Sequence, residues 1–111
     1  MQPERPRARR YPFVANIELT DLESETQIRK QTSDLTLFGC SVDAEKPLPK
    51  GTRVRIRIVH GGANFRALGR VVYSQQNVGM GVAFTKIEPT QESVLENWIA
   101  GLRETRANTA A

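Results

Sequence analysis

The chain has 111 residues, 39% of them hydrophobic and 25% charged, which suits one domain with one core and excludes wholesale disorder. The formal net charge is +4, and the first ten residues hold +3 of it, from Arg5, Arg7, Arg9 and Arg10 against Glu4, leaving +1 for the remaining 101. One cysteine, Cys40, excludes an internal disulfide framework and any multi-cysteine zinc site.

Residues 1–12 carry three prolines and no apolar periodicity, so they read as an extended arm. Pro6 and Pro12 disfavour helix at Arg5 and Tyr11. The basic start is followed by no apolar stretch of leader length, and no run approaches the roughly 18 apolar residues of a membrane span. A cytoplasmic location is expected. From Phe13 the period becomes two: Phe13, Ala15, Ile17 and Leu19 alternate with Val14, Asn16, Glu18 and Thr20, the signature of a half-buried strand. Residues 21–25 form a polar reversal and 26–33 a second, polar strand. Residues 38–45 make a short third strand with Cys40 and Val42 inward.

The segment Lys46-Pro47-Leu48-Pro49-Lys50-Gly51-Thr52 is a turn, since its prolines and glycine interrupt ladder pairing. Residues 52–60 show the clearest alternation, with Val54, Ile56 and Ile58 on one face and Arg53, Arg55 and Arg57 on the other. Gly61-Gly62 signals a hairpin. Strands over 65–73 and 78–84 follow, separated by the polar turn 74–77. In the last of them Val78, Met80, Val82 and Phe84 line one face, and Gly79 and Gly81 imply close backbone approach or strong curvature. Glu88-Pro89-Thr90 starts a helix, along which Val94, Leu95, Trp98, Ile99 and Leu102 form one apolar stripe. Glu92 and Arg103 complement its dipole. The expected architecture is all-β: a six-stranded antiparallel barrel over 13–104 capped by one C-terminal helix, with the arm at 1–12 and a frayed tail at 105–111.

No catalytic constellation emerges. His60, the one histidine, sits by the Gly61-Gly62 hairpin without an orienting carboxylate and reads as a solvated turn residue. Cys40 lies in an apolar strand and reads as a small buried hydrophobe. There is no Walker loop, dinucleotide fingerprint or metal-ligand spacing, so neither an enzyme nor a metal or cofactor is expected.

Two binding features remain. Arg5 and Arg9 make an RxxxR pair, and arginine pairs bidentately with phosphate, matches the O6/N7 edge of guanine and stacks on a base. Asp34-Leu35-Thr36-Leu37-Phe38-Gly39 places Asp34 and Thr36 on one face. Asp34 is able to accept from the N1–H and N2–H₂ edge of guanine, the Thr36 hydroxyl to donate or accept, and Gly39 gives a backbone path that a side chain would obstruct.

In this order, with the Pro-Leu-Pro-Lys-Gly turn, the Gly69-Arg70-Val71-Val72 strand, the Gly79-Met80-Gly81-Val82-Ala83-Phe84 strand and the final helix, the chain resembles the PilZ domain family over nearly its whole length. The resemblance implies a barrel that receives the bacterial second messenger cyclic di-GMP and signals to a partner protein. By it, Arg5 and Arg9 form a clamp, and Asp34, Thr36 and Gly39 form the platform. The chain departs from the family pattern in two places. Thr36 stands where the family has serine, which keeps the hydroxyl and adds a methyl. Arg10 occupies the place directly before the first strand where the family often has its second arginine. Arg5 and Arg9 have the right spacing, and Arg10 is a substitute phosphate contact. Two other readings stay open: a PilZ-like adaptor that acts through protein contact without nucleotide, and a single-stranded nucleic-acid-binding barrel using Arg53, Arg55 and Arg57. The nearly neutral body and the absence of exposed aromatics beside that row weigh against DNA or RNA.

Overall fold

Alternating apolar side chains close the chain into an antiparallel barrel, which the computed structural model describes for residues 9–109, with side chains as far as Glu104. Six strands form the wall: β2 (Asn16–Asp21), β3 (Gln27–Leu35), β4 (Gly39–Asp43), β5 (Arg53–His60), β6 (Ala63–Gln75) and β7 (Gly79–Lys86). A two-residue strand, β1 (Tyr11–Pro12), precedes them and a helix, α1 (Pro89–Thr109), follows. Neighbours run β3-β2-β5-β6-β7-β4, and a further β3–β4 pairing closes the ring. This is the barrel-plus-helix architecture expected from the sequence.

Inside, the alternation holds along the whole N-terminal segment: Tyr11, Phe13, Ala15, Ile17 and Leu19 are all buried, as are Val54, Ile56 and Ile58 on β5. Cys40 and Val42 point inward as expected. The first strand differs in one respect from a continuous 13–20 element. Regular pairing lapses between β1 and β2, and the fully buried Thr32 of β3 spans the gap. Its hydroxyl donates to the Phe13 carbonyl and accepts from the Ala15 N–H at 3.0 Å. Its own N–H donates to the Ala15 carbonyl at 2.9 Å. A side chain thus takes the place of ladder bonds, and no buried side-chain polar atom among the described residues lacks a partner. Tyr11 and Pro12, assigned to the arm by sequence, are thereby part of the sheet.

The helix covers the barrel opening near Phe13 and the β5–β6 hairpin. Leu95 and Ile99 are buried in it, and the Trp98 ring lies 5.4 Å from Phe13, 5.8 Å from His60 and 6.2 Å from Phe65. Gln91 caps the sheet below it, accepting the Arg66 N–H at 2.8 Å. His60, expected as a plain solvated turn residue, is exposed yet packs its ring 4.6 Å from Phe13. The helical backbone continues to Thr109, past the expected boundary at 104. Nothing in 105–109 is a glycine or proline that would stop it.

One inward assignment is corrected. Val78 is 57% exposed because it ends the turn rather than opening the strand, which starts at Gly79 with φ 153°. Met80 and Val82 are buried as expected, and Phe84 is half-buried.

Candidate functional site

Two irregularities in strand pairing turn polar and aromatic side chains onto the outer wall at one place. On β3, Ile28, Lys30 and Thr32 share the inward parity, since Ile28 and Lys30 pair with the inward Leu19 and Ile17. Unbroken alternation would send Asp34 inward as well. The β3–β4 register slips between Thr32 and Asp34, so Leu35 becomes the buried residue and Asp34 faces out. On β6, Phe65, Ala67 and Val71 point inward, and Tyr73 would follow. A second slip, between Val71 and Tyr73, instead leaves both Val72 and Tyr73 on the surface, Tyr73 at 42% exposure.

The hexapeptide from Asp34 to Gly39 joins two strands of the wall. Asp34 and Leu35 end β3, and Gly39 opens β4. The turn between them is organised by Thr36. Its hydroxyl accepts from the N–H groups of Phe38 at 2.9 Å and Gly39 at 3.0 Å and donates to the Gly39 carbonyl at 3.2 Å, while its own N–H donates to that carbonyl at 2.8 Å. The hydroxyl's bonding capacity is therefore used in holding the turn. Asp34 Oδ1 accepts the Ser41 N–H at 3.1 Å, and its second oxygen has no partner among the described residues.

Gly39 is required by the wall itself. A Cβ there would stand 2.2 Å from the Val82 carbonyl oxygen on β7, so only glycine lets the two strands approach. Gly81 serves a different neighbour: its Cβ would stand 2.0 Å from Tyr73 Cε2. The Tyr73 ring lies across the space that glycine leaves, and its hydroxyl shares a 3.0 Å hydrogen bond with Ser41 Oγ. Asp34, Thr36, Gly39, Ser41, Tyr73 and Arg10 border one shallow depression of about 160 Å³, with Phe38 at its edge, 61% exposed.

The arm enters beside this depression. Tyr11 pairs with Leu35 and Pro12 with Asp34, so the residues leading into β1 emerge next to the carboxylate. Arg10, exposed, borders the depression. Arg9, also exposed, lies near the Tyr11 phenol. Arg5 falls outside the described residues. The Tyr11 hydroxyl accepts from Arg103 Nε at 3.4 Å. That guanidinium lowers the phenol pKa, opposed by burial and assisted by the charge of Arg9. The root of the arm is thereby joined to α1. Beneath the depression the Cys40 thiol is pushed up to about 12, by burial first and the Asp34 charge second. It is held as a thiol, unsuited to nucleophilic attack.

Sequence reasoning missed Tyr73 and Ser41. The signal for Tyr73 was present, since an aromatic residue on the strand next in sequence to a glycine-rich one is able to lay its ring over a glycine, as Tyr73 does over its partner Gly81. Its partner Gly81 was identified only as a site of curvature. A larger hollow, of about 520 Å³, opens among Asn16, Lys30, Asp43 and Val59. It gathers none of the predicted binding residues.

The sequence profile of the PilZ domain matches residues 4–101. No curated protein sequence matches the chain significantly. Among solved structures, the fold is similar to the PilZ domain of CeSA from a cellulose-synthesizing bacterium, at TM-score 0.71 and 23% identity over 86% of this chain and 99% of that one. It is similar to the PilZ domain of YcgR from Escherichia coli, determined with c-di-GMP, at TM-score 0.71 and 20% identity over 96% and 98%. It is also similar to the Bacillus subtilis inhibitor of motility, MotI/DgrA, at TM-score 0.70 and 15% identity over 95% of this chain and 52% of that one. At these identities the likeness to the solved structures is one of fold.

Proposed function

The chain belongs to the PilZ domain family, and from that premise we propose that it is a cytoplasmic, bacterial receptor for cyclic di-GMP, a binding module rather than an enzyme, that relays occupancy to a partner protein. The observation that supports this best is the pairing of β1 with the end of β3. It roots an arginine-bearing segment directly beside Asp34.

On this reading the second Asp34 oxygen accepts from the Watson–Crick edge of a guanine, which presents two adjacent donors. Thr36 acts indirectly: it fixes the turn that sets Asp34 relative to β4. Gly39 acts through the wall, by letting β4 and β7 meet. Tyr73 and Phe38 offer aromatic surface to the purine. Arg10 reaches the phosphates from the near side, and Arg5 and Arg9 close across the ligand. Ordering the arm costs conformational entropy, which charge-assisted bonds of about 1.5–3 kcal/mol each offset.

Titration calorimetry with cyclic di-GMP tests the reading. Binding is expected, with loss of most of it in Asp34→Ala and in Arg5→Ala or Arg9→Ala, and no change in Arg53→Ala on the far wall. Absence of heat at high micromolar protein would sink the receptor and favour the adaptor that works without nucleotide.

A further inference from the structure

The near-neutral body of the chain conceals a segregated surface. β5 and β6 pair with Arg53 opposite Arg70 and Arg57 opposite Arg66, while Arg55 lies opposite Leu68 and Leu68 opposite Lys86 of β7. All of these side chains are exposed. Only Arg57 is neutralised: Glu18 accepts from it at 3.1 Å and Asn64 accepts its Nε–H at 3.1 Å. Arg53, Arg55, Arg66, Arg70 and Lys86 have no carboxylate within ion-pairing distance among the described residues. Like charges directly opposite one another destabilise a sheet, so this arrangement is not one that folding alone would favour.

We propose that the outer face of β5 and β6 is a docking surface for an acidic protein partner that presents an apolar side chain among its carboxylates. Leu68 carries the second half of that description. It is 37% exposed at the centre of the cations, and a groove of about 380 Å³ opens there between Arg55, Arg66 and Lys86, with Glu88 at its rim. An apolar centre ringed by arginines is the composition of a protein interface core. A phosphate polymer has no use for Leu68 and finds no aromatic ring projecting from the outer face of β5 and β6 between residues 53 and 70 on which to stack a base. Both strands are paired on each side, so strand addition is excluded and recognition runs through side chains. In the ring order β5 lies three strands from β4 in either direction. The groove at Leu68 shares no lining residue with the depression at Asp34, and the two surfaces approach each other only at Arg70, which pairs with Ala83 at the edge of that depression. The inference does not depend on what binds at Asp34.

The test is an NMR titration of the isotope-labelled chain with a synthetic helical peptide bearing one leucine flanked by glutamates on one face. Shifts are expected around Leu68, Arg55 and Arg70, with affinity falling about tenfold or more in Arg55→Glu and in Arg70→Glu. Affinity should fall several-fold in Leu68→Ser, and a glutamine version of the peptide should not bind. Arg70→Glu turns a like-charge pair with Arg53 into an opposite one, so it should melt no lower than the parent, which separates lost binding from lost folding. No binding at millimolar peptide, shifts on another face, or indifference to both charge reversals would overturn the proposal. So would a single-stranded oligonucleotide that occupies the same residues and is insensitive to Leu68→Ser.

Discussion

Two glycines of the wall look alike in sequence and should respond very differently to the same substitution. In Gly81→Ala the new Cβ meets Tyr73 Cε2 at 2.0 Å and Cδ2 at 2.5 Å, the edge of a partly exposed ring. The ring needs to retreat by only about 1.5 Å to restore ordinary contact. The loss is its hydrogen bond to Ser41, about 0.5–1.5 kcal/mol, offset by about 0.5–1 kcal/mol from removing a glycine from a strand. In Gly39→Ala the Cβ meets the Val82 carbonyl oxygen at 2.2 Å and Ala83 Cα at 3.1 Å. Both are backbone, in the β4–β7 ladder, and nothing rotates away. Overpacking together with broken ladder bonds should cost at least about 3 kcal/mol. Thermal melts followed by circular dichroism should show a shift within about 5 °C for Gly81→Ala and a drop beyond about 10 °C for Gly39→Ala. In a Tyr73→Ser background the Gly81→Ala penalty should vanish. Equal losses for the two glycines, or a Gly81 penalty that survives removal of the ring, would refute this account of the wall.

Three further outcomes follow from the same geometry. Thr36→Val should lower the urea midpoint by an amount equivalent to about 1–2 kcal/mol, because two N–H groups and a carbonyl lose their partner, while Thr36→Ser should leave it nearly unchanged. The Tyr11 phenol, lowered from its ordinary 10.0 by Arg103, should titrate early in near-ultraviolet absorbance of a Tyr73→Phe chain and move upward in Arg103→Met. Because the folded value is depressed, this pair's contribution is fully present above pH 10 and is lost as pH falls through the folded value. Cys40, pushed up to about 12 from an ordinary 9.0, works in the opposite sense: its contribution is complete below pH 9 and is lost as pH rises toward 12. At pH 8 a thiol reagent should modify it only after unfolding in urea, and immediate modification of the folded chain would contradict its burial.

Period-two patterning made the barrel legible because each strand buries one face, so Ile17, Leu19, Val54, Ile56 and Ile58 announce their own orientation. The helix was legible from the stripe running from Val94 to Leu102. The bulges were not. A register slip at Ser33 or Val72 leaves no mark in hydrophobicity; it arises from how a partner strand fits a curved wall, and it decides whether Asp34 and Tyr73 face water or core. The role of Thr36 was hidden for a related reason. A hydroxyl's partners depend on turn geometry, and the string of residue types is the same whether that hydroxyl meets a ligand or its own backbone. Gly39 was identified as a position where a side chain would obstruct, and the structure names the obstruction as Val82. The arm's register is the part that composition addressed least: Arg9 and Arg10 are adjacent in sequence, yet Arg10 borders the depression and Arg9 lies by Tyr11.

The short strand at Tyr11–Pro12 has one more consequence, best expressed as a concentration. Pinning that point to Leu35 and Asp34 leashes every preceding residue to the depression. A residue contributes at most about 3.5 Å of reach, so Arg5 lies within about 20 Å of the pin in any conformation. A guanidinium confined to so small a volume is present at millimolar effective concentration, whatever the protein's own dilution. Any anion that settles beside Asp34 therefore meets its second contact as an intramolecular event. The two-residue strand sets that advantage, and a change that unpinned it would dilute the arginines without touching any of them.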